Sequence, residues 1–234
     1  GDGPDASFLG QLLYGAIVKK VVPVTSCEVA EAVKLTENIF RSVNIALVNE
    51  LKVVYSRMGI NIWEVIDAAK TKPFGFMPFY PGPGLGGHCI PKDPWLLVHG
   101  AEEKGVKLRL IPAARSVNDS MPLHMVKLLE DALAKDGTPI LDARIAVLGY
   151  AYLEDSDDTR NSPTRALVAR LYELGAQPVI HDPWIAEYNG DVYEKVKGCD
   201  AAVVMVAHSE YKELDLEKLK SILEQPILID GRRV

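Results

Sequence analysis

Hydrophobic residues recur at spacings of three and four along the first half of the chain. Between Glu28 and Arg57 this period runs without a proline or glycine, which predicts one long helix. Asn61 then caps a shorter predicted helix from Ile62 to Lys70. Two further helical patterns cover residues 93–104 and 112–135. The first half of the chain is therefore predicted to be mainly helical.

Residues 71–91 break this pattern. The segment is dense in proline, glycine and aromatic residues and has no sustained period, so we expect a long loop. Loops of this length inside compact domains are more often functional than not. We therefore look for chemistry in this segment.

The pattern changes after Gly137, where short apolar runs rich in Val and Ile alternate with helical patterns. Nearly continuous apolar strands separated by helices predict a parallel sheet covered on both faces. The fold class is thus α/β: a helical central domain followed by a Rossmann-like, doubly wound parallel sheet. Ligands of such sheets bind beyond the carboxyl ends of the strands. The predicted strands are 144–148, 178–181, 201–206 and 226–229, the helices 163–174 and 214–223, and the ligand loops 149–162, 182–184 and the chain after 230.

Charge and composition exclude several classes of protein. A net charge of −6 over 234 residues argues against bulk electrostatic binding of nucleic acid. The apolar runs are shorter than the roughly 20 residues that a membrane helix needs, so we expect no membrane partner and a cytoplasmic location. The three cysteines show no CxxC spacing, so neither a disulfide framework nor a metal site is expected.

Cys89 is the strongest candidate for chemistry. It follows three glycines, at 84, 86 and 87, which allow the backbone to approach a ligand closely. Lys92 and the amides of a helix predicted to begin near Asp93 would favour a thiolate. A lone cysteine is otherwise more often a small buried hydrophobic residue. The surrounding residues favour the functional interpretation.

Other polar residues fall at spacings that suit catalysis. Asp93 lies four residues after Cys89 and could act on a water attacking an acyl group on the sulfur, or could simply begin a helix. Lys34 and Asn38 share a helix face, which Arg41 and Ile45 continue and which could equally be solvated. His88 is adjacent to Cys89 in an extended segment, so the two side chains point apart and a Cys–His dyad is disfavoured.

The second half offers cations but no dinucleotide motif. The loop 149–162 follows a predicted strand and leads into a helix at Pro163, the position of a phosphate loop, but it lacks GxGxxG. Arg160, Arg232 and Arg233 all lie in predicted ligand loops. Each could also be a surface arginine on an acidic protein.

Four stretches in order make the chain similar to the UDP-glucose and GDP-mannose dehydrogenase family: residues 28–38, 84–93, 158–163 and 230–234. The resemblance implies three parts: residues 1–27 as the end of an N-terminal domain, 28–135 as a central catalytic domain, and 136–234 as a UDP-sugar-binding domain. It also implies a homodimer through the helix 28–57, with Ile39, Val43, Leu47 and Leu51 available for a core and an interface.

The resemblance implies a chemistry as well. Cys89 would be the nucleophile in the oxidation of a sugar C6 alcohol to a carboxylate by NAD, through a thiohemiacetal and a thioester. Lys34 and Asn38 would stabilise the oxyanion and hold a water, and Asp93 would assist proton transfer. Lys92 and Arg160 would approach NAD. The nucleotide sugar would contact Gly86, Gly87, His88, Tyr152, Arg232 and Arg233.

Two departures from the family qualify this expectation. The Rossmann domain with GxGxxG that precedes this region in the family has no counterpart in the sequence, so we expect the chain alone to be inactive. Leu153 stands where the UDP-glucose enzymes commonly have a lysine. The Pro-Gly-Pro-Gly-Leu-Gly-Gly-His-Cys-Ile-Pro stretch resembles the UDP-N-acetylmannosamine and UDP-N-acetylglucosamine enzymes, which makes a UDP-N-acetylhexosamine the expected substrate and UDP-glucose the alternative.

Two other classes of function remain open. A UDP-sugar-binding module without catalysis would use Arg232 but has no need of Lys34, Asn38 and Cys89 together. A thiol hydrolase or transferase would use Cys89 without a nicotinamide, but His88 is its one plausible general base.

Overall fold

The computed structural model describes residue 1 and residues 3–234, so residue 2 of the predicted segment 1–27 lies outside the described part. The helical half contains α1 Pro4–Gly15, α2 Cys27–Arg57, α3 Ile62–Ala69, α4 Cys89–Glu103 and α5 Leu110–Lys135. The second half contains β1 Arg144–Leu148, α6 Pro163–Glu173, β2 Gln177–His181, α7 Val192–Val196, β3 Ala201–Val204, α8 Ser209–Lys212, α9 Leu216–Ile222 and β4 Leu228–Asp230.

The long helix α2 is the frame of the first half, and it packs against α5, α4 and α3. It begins where Ser26 accepts a hydrogen bond from the amide of Val29 at 3.3 Å. The predicted cap of the next helix is confirmed, because Asn61 Oδ1 accepts a bond from the amide of Trp63 at 3.0 Å. Both helices thus begin where a side chain satisfies a free amide.

The start of α4 differs from the sequence expectation. The helix begins at Cys89 rather than near Asp93, and α5 begins at Leu110, two residues before Pro112. In both cases a proline occupies the first turn. Backbone N–H groups in that turn have no partner within the helix, so the N–H that proline lacks costs little there. Pro91 was therefore assigned to the loop although it lies in the first turn of α4, and Pro112 was taken as the first residue of α5 although it is the third.

Three helices were not predicted from the sequence: α1, α7 and α8. The last two are one turn long and lie between strands. In contrast, α1 has twelve residues and no buried residue in the part of the chain that the structure describes. Its apolar residues do not form a buried stripe on one face, and such a stripe is the periodic pattern by which a sequence indicates a helix.

The four strands form one parallel sheet in the order β2-β1-β3-β4, which confirms the predicted doubly wound α/β half. The strands are apolar and buried as predicted, and β3 is buried at all four residues. The strand bounds shift slightly: β3 ends at Val204 rather than at Val206, and β4 covers Leu228–Asp230 rather than 226–229.

Helix α5 joins the two halves physically. On one face of the sheet, Leu129 and Leu133 of this helix pack with Ile145 and Val147 of β1 and with Leu167 of α6. The other face is covered by α7 and α9. The second half of α5 therefore lies in the core of the sheet, while its first half packs on α2. The division at 135/136 stays a prediction.

No helix in residues 3–234 combines the length and the apolar composition that crossing a membrane requires.

Candidate active site

Cys89 is the first residue of α4, and its side chain is exposed. Asp93 follows one helical turn later on the same side of α4 and is half-buried. The sulfur therefore lies at the positive end of a fifteen-residue helix, where a negative charge is stabilised. The expected link between Cys89 and a helix N-terminus holds, although the helix starts earlier than predicted.

Asn38 connects α2 to α4. Its Nδ2 donates a hydrogen bond to Asp93 Oδ2 at 2.5 Å, and its Oδ1 accepts one from Arg41 at 2.5 Å. Asn38 is fully buried, so its amide holds the carboxylate of Asp93 from the buried side. The structure brings Asn38 and Asp93 together, and Arg41 is a third member that the sequence placed only on the same helix face.

Three other residues predicted for the site are exposed: Lys34, His88 and Lys92. Lys34 lies one turn before Asn38 on α2, and within residues 3–234 it makes no ion pair. Lys92 and His88 are also solvated, and the His88 side chain makes no capping bond to α4. These three side chains are free to meet a ligand or another part of a larger protein.

The glycines before Cys89 are packed against the second half of the chain. A Cβ at Gly86 would lie 2.3 Å from Tyr152 Cβ, and one at Gly87 would lie 2.8 Å from the Tyr152 ring. Gly87 also has φ +82°, which disfavours any other residue. The predicted substrate residues Gly86, Gly87 and Tyr152 are thus mutual neighbours, and the glycines are needed for the contact between the two halves.

Arg160 contacts the segment before Cys89 through its backbone, since its carbonyl accepts a hydrogen bond from the amide of Gly87 at 2.8 Å. Its guanidinium makes hydrogen bonds and a salt bridge with Asp158 at 2.5 Å, which raise the pKa of Arg160. The side chain is still 64% exposed. The residue that bonds to Gly87 thus carries a cation that is paired with Asp158 and still solvated.

A cleft of about 370 Å³ opens beside this loop, between the two halves of the chain. Trp63 and Tyr80 stack on its helical side with ring centroids 5.5 Å apart. Lys212 and Glu154 form a 2.9 Å salt bridge on the opposite side. The remaining lining residues are Pro81, Tyr152, Leu153, Val206, Ala207, Arg232 and Arg233. Aromatic faces and cations together suit a nucleotide, by stacking and by charge.

The two predicted arginines after β4 differ in role. Arg232 donates from Nε to the carbonyl of Met205 at 2.9 Å, and burial lowers the pKa of its guanidinium. Arg233 has φ +61° and reaches across to Asp67 at 3.4 Å and to the face of Trp63. Arg232 is therefore fixed at the cleft, while Arg233 ties the end of the sheet to the helical half.

A buried polar network shapes the cleft wall formed by residues 150–155. Asp182 Oδ2 accepts bonds from the amides of Tyr150 at 2.7 Å and Ala151 at 2.9 Å, and lies 3.1 Å from His208 Nε2. On its other side, His208 Nδ1 accepts from the amide of Asp155 at 2.9 Å. These bonds require the tautomer with hydrogen on Nε2, and they hold the loop at both ends.

Asp182 stays charged in this network. Burial alone would raise its pKa, but hydrogen bonds from His208 and the amides of Ala151, Tyr150 and Trp184 outweigh that effect, and the pKa is lowered. The sequence indicated 182–184 as a ligand loop, whereas the carboxylate is buried and binds its own chain. His208, Trp63, Tyr80 and Lys212 were missed, because no local pattern links them to the cleft.

Two domain models match this chain. The central domain of the UDP-glucose/GDP-mannose dehydrogenase family matches residues 28–120, and the UDP binding domain of the same family matches residues 146–234. Similar proteins are the UDP-N-acetyl-D-mannosamine dehydrogenase of Pyrococcus horikoshii, 39% identical over 98% of this chain and 54% of the relative, and the UDP-N-acetyl-D-glucosamine 6-dehydrogenase of Pseudomonas aeruginosa, 36% identical over 95% of this chain and 54% of the relative.

Solved structures agree in fold. The chain superposes on the UDP-D-ManNAc dehydrogenase of Pyrococcus horikoshii with a TM-score of 0.91, over 97% of this chain and 54% of that one. A UDP-glucose dehydrogenase from Pyrobaculum islandicum, 28% identical, gives 0.84 over 98% of this chain and 54% of that one. The chain spans about half the length of the relatives it matches.

We predict that Asp182→Asn destabilises the fold and weakens its acid sensitivity. Both carboxylate oxygens accept hydrogen bonds, so an amide must turn its NH₂ toward an N–H donor, at a cost of about 2 kcal/mol at neutral pH. Because the folded pKa of Asp182 is lowered, its stabilisation is fully present above an unfolded pKa of about 3.9 and is lost progressively as the pH falls from there through the folded pKa. Urea unfolding between pH 3 and 7 measures both effects.

The control is Asp157→Asn, an exposed carboxylate in the loop 149–162. It should change the free energy of unfolding by less than about 0.5 kcal/mol at pH 7. Equal stabilities and equal pH dependences for the two variants would show that the buried network does not hold this loop.

Proposed function

Because the chain belongs to the UDP-glucose/GDP-mannose dehydrogenase family, we propose that it forms the catalytic and nucleotide-sugar-binding parts of an NAD-dependent nucleotide-sugar 6-dehydrogenase. The observation that carries the proposal is the position of Cys89 at the start of α4, one turn before an Asp93 that Asn38 holds at 2.5 Å. A binding module would not need a nucleophile and an oriented acid next to its cleft.

Cys89 acts on the aldehyde that the first oxidation produces at C6. Its thiolate adds to the carbonyl carbon, and the carbonyl oxygen becomes an oxyanion that takes a proton. A hydride would then pass from C6 to a bound nicotinamide while the oxygen gives up its proton, which leaves a thioester on the sulfur. Water attacks the thioester, the carbon–sulfur bond breaks, and the uronate leaves while Cys89 recovers its thiolate. The exposed position of Cys89 supports access of a bulky sugar.

Lys34, Asn38 and Asp93 assist these steps. The ammonium of Lys34 stabilises the oxyanion of each tetrahedral species more than the ground state. Asp93 accepts a proton from the attacking water, and Asn38 fixes the orientation of its carboxylate. Lys34 is exposed and lies one helical turn before Asn38 on α2, a position that supports this assignment.

The residues beside Cys89 fit a dinucleotide. When bound, NAD supplies the hydride acceptor for both oxidations. Lys92 and Arg160 are exposed cations on this side of the chain, and their charges suit an anionic diphosphate. The apolar side chains of α1 are solvated, which supports the proposal that residues 1–27 end a preceding NAD-binding domain.

The cleft binds the UDP part of the substrate. Arg232 meets the diphosphate, with Arg233, Lys212 and the Trp63–Tyr80 pair around it.

We propose a UDP-N-acetylhexosamine as substrate, since relatives at 39% and 36% identity carry the names of the mannosamine and glucosamine enzymes. UDP-glucose is the alternative, supported by the fold of the Pyrobaculum islandicum enzyme. Gly86, Gly87, His88 and Tyr152 border the path from this cleft to Cys89.

The chain also forms a homodimer through α2. Of the four positions expected to serve a core and an interface, Leu47 alone is exposed, while Ile39, Val43 and Leu51 are half-buried. A different stripe is solvated, at spacings of seven residues: Val33, Phe40, Leu47 and Val54. Phe40 and Leu47 also line an apolar groove with Phe76 and Met77. Such a stripe suits the same helix of a second copy.

Replacing Cys89 tests the mechanism. In a complete enzyme, with an NAD-binding domain before this chain, Cys89→Ala should lower uronate formation by more than roughly a thousandfold, because no covalent acyl intermediate can form. NADH released per sugar and the uronate product are measured together. Cys27→Ser is the control and should keep the wild-type yield of two NADH per sugar. A wild-type yield from Cys89→Ala would refute the mechanism.

Calorimetry on this chain separates binding from catalysis. We expect UDP to bind, and Arg232→Ala to weaken binding about 10- to 100-fold, since a charge-assisted hydrogen bond to phosphate contributes about 1.5–3 kcal/mol. Arg170→Ala, an exposed arginine on α6 paired with Glu173, should leave UDP affinity unchanged. If the unmodified chain fails to bind UDP, the assignment of the cleft is wrong.

Light scattering after size exclusion tests the dimer. Leu47→Glu should convert the chain to a monomer, because it places two carboxylates in the apolar stripe. Leu123→Glu, an exposed leucine on α5, should leave the mass unchanged. A wild-type chain that runs as a monomer at micromolar concentration would contradict the proposal.

A further inference from the structure

The segment before Cys89 is held by a turn of the sheet half. The amide of Gly87 donates to the carbonyl of Arg160 at 2.8 Å, and Asn161 Nδ2 donates to the carbonyl of Gly87 at 2.9 Å. Both polar groups of one peptide residue, two positions before the sulfur, are therefore bonded to two consecutive residues of the other half. We call this pair of bonds the Gly87–Asn161 clip.

Asn161 has an unusual backbone conformation that serves this contact. Its φ is +49°, a left-handed value that asparagine tolerates better than most residues and that costs most others free energy. A Cβ at Gly86 would lie 3.0 Å from the carbonyl oxygen of Asn161. The turn thus lies so close to the glycines that a side chain at Gly86 would press against its backbone.

The same turn is connected to the cleft. The amide of Tyr152 donates to the carbonyl of Asp158 at 2.9 Å, and the Tyr152 ring lies against Gly87. Tyr152 lines the cleft as well. Tyr152 therefore links the cleft to the turn 158–161 and to the residues before Cys89.

We propose that Asn161 is a positioning residue that fixes the backbone before Cys89 through the Gly87–Asn161 clip, so that the sulfur is aligned with the substrate held in the cleft. The alignment of a nucleophile on a glycine-rich segment cannot rest on that segment alone, since glycines lack side chains that would hold them. The role in catalysis rests on the proposed function, while the effect on the backbone does not.

Amide hydrogen exchange on this chain tests the backbone effect. Asn161→Gly removes the side-chain bond while keeping the left-handed conformation accessible. The matched control is Asp142→Gly, which makes the same kind of exchange at φ +63° on the far side of the sheet half. We expect the Gly87 amide to exchange about tenfold faster in Asn161→Gly and at the wild-type rate in Asp142→Gly.

A third variant separates the lost hydrogen bond from the added backbone flexibility of a glycine at position 161. Asn161→Asp tolerates the same backbone but directs an oxygen at the Gly87 carbonyl, so Gly87 should exchange faster still. Equal exchange at Gly87 in all four proteins would overturn the clip.

Kinetics of the complete enzyme test the consequence for the sulfur. Asn161→Gly should lower kcat about tenfold with KM for the nucleotide sugar within twofold of wild type, and Asp142→Gly should change neither. A rise in KM with normal kcat would contradict a positioning role. If the wild-type enzyme does not oxidise nucleotide sugars, the proposed function fails, and the exchange measurement alone decides the clip.

Discussion

The candidate site depends on the contact of residues 84–87 with the segment 152–163. A Cβ at Gly86 would lie 2.3 Å from Tyr152, and one at Gly84 would lie 2.9 Å from Pro163, so side chains at these positions would push the halves apart. The absence of side chains therefore allows the sheet half to approach the start of α4. Cys89 lies immediately after this contact, and its position relative to the cleft follows from it.

This approach needs a rigid connection between the halves, which α5 provides. The first half of the helix packs on α2, while Leu129 and Leu133 are fully buried under the sheet. A helix shared by two packed regions fixes their relation better than a flexible linker would. Asn49 adds to it, since it accepts a bond from the amide of Gly82 and donates to Asn118 of α5.

Buried polar groups then set the details of the cleft. Asp182 and His208 hold the loop 150–155, and Asn38 holds Asp93, in each case with no exposed surface on the residue that does the holding. Hydrogen bonds of this kind are strong in a dry interior and costly to leave unmade. In contrast to these buried groups, Lys34, Lys92 and Arg160 are exposed cations that a ligand can reach.

The sequence alone determined the alternation of helical and sheet halves, the parallel sheet and the family, because periodicity, apolar runs and ordered motifs are local properties of the chain. It also singled out Cys89, Asn38 and Asp93. It placed the start of α4 too late, since a proline in the first turn reads as a loop, and it missed α1, whose apolar side chains are solvated. Only the tertiary structure decided which face of α2 is solvated, that Asp182 binds its own chain, and that Asn161 meets Gly87. Those contacts join residues 26 to 74 positions apart, and no local pattern encodes such pairs.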